Sequence, residues 1–241
     1  MAAKAVAVVT GASRGLGLAL TRALVANGWS VVVDARSKDE LEAATSDLTG
    51  PGRVVPIAGD IADPAHRQQV AKAAIELAGD DLALSLVVNN ASALGPSPQP
   101  ELQDYPLQVL RQVYEVNTFA PLALIQLLIP LMKGAAGSGT GGVIINVTSD
   151  AGVEGYAGWG GYGSSKAALE QVSRVLAAEQ PGLKVYWVDP GDMNTRMQQE
   201  AFPGEDVSDR PPPEESVPGF LELARGERPS GRYQARSIGP A

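Results

Sequence analysis

A tyrosine and a lysine stand four residues apart in the segment Tyr162-Gly-Ser-Ser-Lys166. Apolar residues recur with helical spacing after them, so the pattern predicts that both side chains lie on one face at the start of a helix. A free tyrosine has a pKa of about 10, too high for a general base at neutral pH. A neighbouring ammonium favours the phenolate and lowers that pKa. No other tyrosine of the chain has a lysine four residues on, and the pair is predicted to be an acid–base unit.

A glycine-rich turn, TGASRGLG, follows the first apolar run of the chain. Glycine lets the backbone turn tightly and approach a pyrophosphate, and the next helix presents free N–H groups to the anion. Such a turn can also be purely structural, but its place at the first strand-to-helix connection favours a dinucleotide phosphate site. The predicted cofactor contacts here are Gly11, Ser13, Arg14, Gly15, Leu16 and Gly17.

Two arginines indicate which dinucleotide would bind. Arg14 lies in the glycine-rich turn, and Arg36 follows the second apolar run in VVVDAR. In dinucleotide folds an acidic residue at the end of that strand binds the ribose 2′-hydroxyl, whereas arginine accommodates a 2′-phosphate. Asp34 leaves the ribose alternative open, although Ala35 falls where the acidic residue usually points. Two guanidiniums near one dianion favour NADP(H), the alternative being that both are solvated surface arginines.

Short apolar runs alternate with helix-length segments along the chain. The predicted strands are Ala5–Thr10, Val31–Asp34, Arg53–Ile57, Leu84–Asn90, Val143–Thr148 and Lys184–Val188, with a final strand in GRYQAR. The predicted helices are Gly15–Asn27, Lys38–Leu48, Pro64–Ala78, Tyr105–Met132 with a bend near Pro121, and Tyr162–Glu179. Continuous apolar runs are typical of strands buried on both faces. The alternation predicts an α/β fold over residues 1–241: a single Rossmann-type, doubly wound parallel sheet flanked by helices on both faces.

Three stretches break the alternation. A proline-rich loop runs from Leu94 to Pro106, and a glycine-rich turn from Gly134 to Gly142. The longest irregular stretch, 192–218, carries PGED and DRPPPEES with little apolar periodicity. Because long loops in compact domains are usually lids or disordered segments, this stretch is predicted to be a substrate lid.

Composition excludes several classes of protein. The chain has no cysteine, so disulfides and thiolate catalysis are excluded, and its one histidine, His66, cannot build a metal site alone; we expect no metal and place His66 at the surface of the third helix. A net charge of −8 without long blocks of one sign argues against a nucleic-acid partner. No secretory pattern opens the sequence, and no uninterrupted apolar stretch reaches about 18 residues. We expect a cytoplasmic protein with neither membrane nor nucleic-acid partners.

Taken together, these motifs resemble those of the classical short-chain dehydrogenase/reductase family. The resemblance runs through TGASRGLG at 10–17, Asp60, NNA at 89–91, Asn117, Ser149, the Tyr162/Lys166 pair and PGDMNT at 190–195. Several motifs in the right order, each at a strand end, are far more specific than one. Taken singly, Ser149, Asn117 and Asp60 could each be an ordinary strand-end, helix-interior or turn residue.

The resemblance implies a role for each of these residues. Tyr162 would be the general acid/base, Lys166 would lower its pKa and hold the nicotinamide ribose, Ser149 would hydrogen-bond the substrate oxygen, and Asn117 would support a water-linked proton path to Lys166. The implied cofactor contacts beyond the glycine-rich turn and Arg36 are Asp60, Ile61, Asn90, Tyr162, Lys166, Pro190, Gly191 and Thr195. One departure lies close to these groups: Ser92 stands where the family usually has glycine.

These observations predict an NADP(H)-dependent oxidoreductase that interconverts a carbonyl and an alcohol by hydride transfer. One alternative is a dinucleotide-binding or sensing protein that kept the fold and lost turnover. Another is an epimerase or dehydratase of the extended branch, whose chains usually carry a larger C-terminal substrate domain. Trp159 is a candidate for the substrate pocket, and the substrate itself is not readable from these loops.

The helices 105–132 and 162–179 carry more apolar residues than one sheet face can cover. Relatives use the corresponding helices to dimerise, so the resemblance also implies a homodimer or homotetramer.

Overall fold

A seven-stranded parallel sheet forms the centre of the molecule. The computed structural model describes residues 5–79, 84–133 and 141–239. The strands are β1 (Ala5–Val9), β2 (Trp29–Ala35), β3 (Val54–Ala58), β4 (Leu84–Asn89), β5 (Val143–Val147), β6 (Lys184–Asp189) and β7 (Gly231–Gln234). Their order is β3-β2-β1-β4-β5-β6-β7, and all pair in parallel. The predicted doubly wound fold is confirmed, and the chain reverses direction across the sheet between β1 and β4, where such folds bind ligands.

Eight α-helices connect or follow the strands in the described residues. They are α1 (Gly15–Ala26), α2 (Lys38–Thr45), α3 (Pro64–Ala78), α4 (Leu107–Tyr114), α5 (Ala120–Lys133), α6 (Gly160–Glu179), α7 (Arg196–Ala201) and α8 (Val217–Ala224). The five predicted helical segments all form helix, with ends that differ from the prediction by a few residues.

Strand residues alternate between two hydrophobic cores, one on each face of the sheet. Val31 and Val33 of β2 face a core that includes residues of α1 and α8, whereas Val32 faces the core built on α3 and α5. Since strand side chains point alternately to opposite faces, an all-apolar strand is buried on both sides. The carboxyl ends of the parallel strands lie along one edge of the sheet. The glycine-rich turn follows β1 and Ser149 follows β5, so both lie at this edge.

The predicted long helix 105–132 is interrupted. It begins at Leu107, after Pro106, and between α4 and α5 it widens into a π-helical turn over Glu115–Phe119. Pro121, which has no N–H, cannot donate to the carbonyl four residues back, that of Asn117, and π turns often occur at functional sites. The change of helix geometry thus centres on Asn117 rather than on Pro121.

The helical run Leu107–Met132 is long and apolar enough to cross a membrane by length and composition. The same run supplies Leu124, Ile125, Leu128 and Met132 to the core beneath the sheet. Core helices of this kind pass the same test of length and composition.

The segment 192–218 is more ordered than its sequence indicates. It contains α7 and a 3-10 turn at Pro213–Glu215, and α8 starts at Val217. The prediction missed α8, because Pro218 and Gly219 obscure a short apolar helix whose first turn tolerates proline. The glycine-rich turn predicted at 134–142 lies outside the described residues except for residues 141 and 142.

Candidate active site

The glycine-rich turn closes tightly against the strand ends. Gly11 has a φ of +69°, and a Cβ there would lie 2.8 Å from the Cα of Ala91. At Gly17, on the first turn of α1, a Cβ would collide with the carbonyl oxygen of Gly11. Only glycine allows this backbone conformation and this close approach. The turn thus leaves a shallow backbone cradle at the N-terminus of α1 that fits the pyrophosphate of a dinucleotide.

Asp34 and His66 stabilise the buried side of this turn. Asp34 Oδ1 accepts the Gly11 amide at 2.8 Å, and Asp34 Oδ2 lies 3.0 Å from His66 Nε2. Both side chains are buried. The expectation that His66 lies at the surface is wrong, because α3 turns this face towards the sheet and the imidazole meets the only buried carboxylate of β2. The ribose alternative for Asp34 loses support, since both of its oxygens are already engaged within the protein.

The two arginines at the adenosine end differ in their surroundings. Arg14 forms an ion pair with Glu40 of α2 at 2.8 Å, both side chains being about half exposed. Arg36 is exposed, and no carboxylate pairs with it in the described part of the chain. A phosphate would therefore meet one unpaired guanidinium, Arg36, and a second, Arg14, that Glu40 partly neutralises.

The remaining residues predicted for the adenosine side are held by local hydrogen bonds. Asp60 Oδ1 accepts the Ala62 amide at 2.9 Å, and the buried Arg67 donates to the Ile61 carbonyl at 2.7 Å. The Asn90 amide group donates to the carbonyls of Thr10 and Gly11, at 2.8 and 3.1 Å. The Asn90 side chain thus fixes the glycine-rich turn, and a direct contact of Asn90 with a cofactor stays a prediction.

A cavity of about 290 Å³ lies between α1 and the segment after β6. Its lining includes Arg14, Gly15, Thr195 and two further arginines, Arg22 and Arg196. The chain reaches it through Pro190 and Gly191, whose φ is +73°, and the side chain of Thr195 caps α7 by accepting the Gln198 amide. The structure therefore brings the predicted residues of PGDMNT next to the glycine-rich turn.

Tyr162 and Lys166 lie in the first turns of α6 and are both buried. Lys166 Nζ donates to the Val147 carbonyl at the end of β5, at 2.9 Å, and lies 5.5 Å from the centre of the Tyr162 ring. The predicted juxtaposition of the two groups on one helical face is present, with the ammonium nitrogen turned towards the strand end.

Burial governs the ionisation of this pair. Loss of hydration raises the pKa of Tyr162 to about 12; hydrogen bonding by Ser92 and Ser149 acts to lower it, and the negative charges of Asp189 and Asp150 add to the increase. Burial also lowers the pKa of Lys166 to about 7. The expected lowering of the tyrosine pKa by the lysine is not what the structure shows, because a low-dielectric site disfavours the charged form of each group. At neutral pH Tyr162 holds its proton.

Ser149 stands at the end of β5 and interacts with the residue after it. Its Oγ donates to Asp150 Oδ1 at 2.8 Å, and the other oxygen of Asp150 accepts the Tyr156 hydroxyl at 3.1 Å. The Ser149 hydroxyl also acts on Tyr162 as a hydrogen-bond partner. Ala151, two residues further on, packs against Tyr162, so that Ser149 lies near the start of α6.

Asn117, on the π turn, is fully buried. Its Oδ1 accepts the Ala93 amide at 2.7 Å and the Ser92 hydroxyl at 3.1 Å. Its Nδ2 donates to the Ala93 carbonyl and to Ser165 Oγ, both at 2.9 Å. Asn117 thus joins the turn after β4 to the catalytic helix, and its predicted proton path to Lys166 stays a prediction.

A buried ion cluster lies behind Ser149, and the sequence carried no signal for it. Glu170 of α6, fully buried, accepts from Thr148 at 2.9 Å, Arg174 at 3.0 Å and Arg232 at 3.0 Å. Arg232, on β7, also donates to the Ser149 carbonyl at 3.1 Å. The edge strand therefore holds the backbone of the candidate catalytic serine.

Three loops converge beside Tyr162. Trp159 stacks edge-on against Tyr162, with ring centres 5.8 Å apart, and lies 5.7 Å from the ring of Phe202, which follows α7. Leu94 packs against Tyr162, and Ser97 donates to the Glu200 carbonyl at 2.6 Å. The loops proposed as pocket walls therefore meet, and they give the site an apolar, aromatic side.

The comparisons with known proteins agree with this geometry. A model of the short-chain dehydrogenase family matches residues 5–206. The protein belongs to the short-chain dehydrogenase family. The chain is 33% identical over 199 residues to a rhamnolipid-biosynthesis 3-oxoacyl-[acyl-carrier-protein] reductase of Pseudomonas aeruginosa, covering 80% of this chain and 74% of that one. It is 35% identical over 207 residues to the sepiapterin reductase of Meriones unguiculatus, covering 81% and 76%.

Solved structures of the family superpose on nearly the whole chain. A short-chain dehydrogenase from Pseudomonas syringae matches with a TM-score of 0.87 and 29% identity, over 97% of this chain and 95% of that one. One from Escherichia coli, solved in complex with NADPH, matches with a TM-score of 0.84 and 27% identity, over 98% of each chain. The chain is therefore a member of an oxidoreductase family that binds a nicotinamide dinucleotide.

Proposed function

We propose that this short-chain dehydrogenase is an NADP(H)-dependent carbonyl reductase, with Tyr162 as the general acid. The observation that carries the proposal is the burial of the Tyr162 phenol beside the end of β5, which raises its pKa to about 12, so that the phenol is protonated at neutral pH. A group that holds its proton at neutral pH is suited to give it to a carbonyl oxygen as the carbonyl is reduced.

Each polar residue of the site has its own role in the proposed reduction. Ser149 donates a hydrogen bond to the carbonyl oxygen, and Tyr162 transfers its proton to the same oxygen as negative charge develops there. Asn117 holds the turn after β4 against the catalytic helix. Lys166 holds that helix against the end of β5 and binds the nicotinamide ribose. When bound, NADPH supplies the hydride to the carbonyl carbon.

Cofactor binding is assigned to the residues around the glycine-rich turn. The backbone cradle between Gly11 and Gly17 receives the pyrophosphate at the N-terminus of α1. Arg36, aided by Arg14, binds the 2′-phosphate, and an NADPH complex of a structural relative supports this choice. Asp60 and Ile61 would contact the adenine, Asn90 the adenosine-side ribose, and Pro190, Gly191 and Thr195 the carboxamide end.

The substrate is a small carbonyl compound with an apolar portion, because Leu94, Trp159 and Phe202 form one side of the pocket. The segment 192–218, through α7, acts as the lid over that side. We further propose a homodimer or homotetramer that works in the cytoplasm without nucleic-acid or membrane partners.

The deciding experiment is an assay of NADPH oxidation with a panel of aromatic aldehydes, cyclic ketones and α-diketones. Consumption of NADPH that depends on the carbonyl compound, with the alcohol as product, supports the proposal. Tight NADPH binding without turnover of any carbonyl in the panel would indicate a sensing protein instead. A redox-neutral product would indicate an epimerase or dehydratase.

A further inference from the structure

Arg232 of β7 meets the ends of two neighbouring strands, and the family resemblance assigns it no role. Its Nη2 donates to the Ser149 carbonyl, just after β5, at 3.1 Å. The same nitrogen donates to Oδ2 of Asp189, the last residue of β6, at 3.5 Å. One guanidinium nitrogen therefore joins the backbone of the candidate catalytic serine to the strand end that leads into PGDMNT.

The buried carboxylate of Asp189 extends this connection to the turn after β6. Its Oδ1 accepts the Gly191 amide at 2.9 Å, while its Oδ2 faces Arg232. Gly191 has a φ of +73°, a conformation that favours glycine. It is also among the residues proposed to contact the carboxamide end of the nicotinamide. Arg232 is thus linked, through one carboxylate, to the backbone of the proposed nicotinamide site.

Glu170 fixes the other side of the guanidinium. Arg232 Nε donates at 3.0 Å to Oε1 of Glu170, a fully buried residue of α6. The donors of a guanidinium lie in one plane and point in fixed directions, so a bound Nε determines where Nη2 points. Glu170 lies further along the same helix as Tyr162. The arginine therefore ties the ends of β5 and β6 to the helix that carries the proposed general acid.

We propose that Arg232 is a positioning residue for carbonyl reduction: it sets the spacing between the Ser149 hydroxyl, which polarises the carbonyl, and the turn that holds the nicotinamide. The inference rests on the proposed roles of Ser149 and Gly191. Arg232 acts through the Ser149 carbonyl and the Asp189 carboxylate, and it transfers no proton. Hydride transfer needs the reacting atoms about 3–3.5 Å apart, and a displacement of about 1 Å can lower the rate by about 100-fold.

Loss of this bridge should affect the hydride step more than cofactor binding. Most of the proposed NADPH contacts lie on the glycine-rich turn and at Arg36, on the other side of the site. Ser149 is proposed to donate to an oxygen that gains negative charge only as the hydride arrives, so a displaced serine mainly destabilises the transition state. An interaction that is lost only in the transition state lowers turnover and leaves cofactor affinity nearly unchanged.

The test compares Arg232→Lys and Arg232→Met with the wild type, each also in a Ser149→Ala background. Lysine keeps a positive charge beside Glu170, which protects the fold, but its single nitrogen cannot serve Glu170 and both strand ends. Arg174→Met is the matched control. Arg174 pairs with the other oxygen of Glu170 at 3.0 Å, and within the described chain no hydrogen bond joins it to either strand end.

Three measurements separate the effects of these variants. Single-turnover NADPH oxidation with the best carbonyl of the panel measures the hydride step. Fluorescence titration gives the Kd for NADPH, and urea denaturation gives the stability of each variant.

We expect the single-turnover rate to fall by about 10- to 100-fold in both Arg232 variants, with the Kd for NADPH and the rate of Arg174→Met near wild type. In the Ser149→Ala background the same changes should cost much less, because the arginine acts through the serine. A loss of stability with an unchanged rate in Arg232→Lys would show a merely structural arginine and overturn the inference, as would an equal loss of rate in both backgrounds. Failure of the proposed function looks different, because Ser149→Ala itself would then keep the wild-type rate, or the wild type would reduce no carbonyl.

Discussion

Asp34 and His66, 32 residues apart in sequence, are joined by a contact of 3.0 Å beneath the glycine-rich turn. The other oxygen of Asp34 holds the Gly11 amide at 2.8 Å. The backbone cradle for a phosphate is thus anchored to a helix on the opposite face of the sheet through one buried carboxylate.

Removing one partner of this contact should destabilise the fold. Asp34→Ala should lower the free energy of unfolding by about 3–5 kcal/mol, because it leaves His66 unpaired in the interior. Asp34→Asn, which keeps an acceptor for Gly11, should be milder. Urea denaturation measures both, with exposed Asp39→Ala as a control that stays within about 0.5 kcal/mol of wild type. If the losses of Asp34→Ala and His66→Ala simply add in the double variant, the two residues are not coupled.

Arg36 should set the cofactor preference. Arg36→Ala should weaken NADPH binding by about 1–3 kcal/mol, the value of a charge-assisted hydrogen bond, and leave NADH nearly unchanged. Arg14→Ala should have a smaller effect, since Glu40 already pairs with Arg14. Glu40→Gln should strengthen NADPH binding by freeing that guanidinium. Fluorescence titration with both cofactors tests all three variants, and a wild type that prefers NADH would refute the assignment.

Tyr162 and Lys166 should behave as one unit in catalysis. Tyr162→Phe should reduce turnover by about 10²–10⁴-fold, the usual contribution of a general acid, while NADPH binding persists because the ring remains. Lys166→Ala should harm both turnover and binding. In the double variant, turnover should fall by much less than the product of the reductions in the two single variants. Steady-state kinetics measures turnover, and fluorescence titration measures NADPH binding. Near-wild-type carbonyl reduction by Tyr162→Phe would mean that another group is the acid.

Burial of Lys166 should make stability depend on pH. The pKa falls from 10.5 in the unfolded chain to about 7 in the folded protein. Between these values the unfolded state binds one more proton, so this group makes stability rise with pH, by about 1.4 kcal/mol per unit, and adds no slope below pH 7. Urea denaturation of the wild type from pH 7 to 9 should show this rise relative to Lys166→Met, which has no titrating group. Parallel curves for the two proteins would contradict the shift.

The proposed oligomer should depend on exposed apolar residues of the helices around the π turn and α6. Phe119, Leu127 and Val175 are 53%, 40% and 44% exposed in the single chain, and a partner helix would cover them. Light scattering at micromolar concentration should give a dimer or tetramer for the wild type. Phe119→Asp and Val175→Asp should shift it towards monomer, with exposed Ile75→Asp on α3 as the control. A monomeric wild type would refute the oligomer.

The fold was predictable because its signals are local. Continuous Val- and Ile-rich runs such as Val143–Val147 are typical of strands buried on both faces, and their alternation with helices predicts a parallel, doubly wound sheet. The glycine-rich turn and Ser149 were predictable for the same reason, since each follows such a run. Tyr162 and Lys166 are brought together by helical spacing alone.

Contacts between distant parts of the chain were not predictable. His66 looked like a surface residue because one polar position on a helix does not reveal which face it occupies, and its partner lies on another element. Arg232 likewise reaches Ser149 across 83 residues. The ionisation of Tyr162 was misjudged because spacing shows the neighbouring lysine but not the desolvation that opposes its effect.

Arg232 belongs to β7, the last strand of the sheet, and holds the carbonyl of Ser149. During synthesis the glycine-rich turn, Ser149 and α6 all leave the ribosome before residues 231–234 do, and domains fold as the chain emerges. The serine therefore gains its backbone anchor only when β7 joins the growing sheet. A nascent chain can therefore assemble the backbone cradle of the glycine-rich turn before Arg232 is available to anchor Ser149.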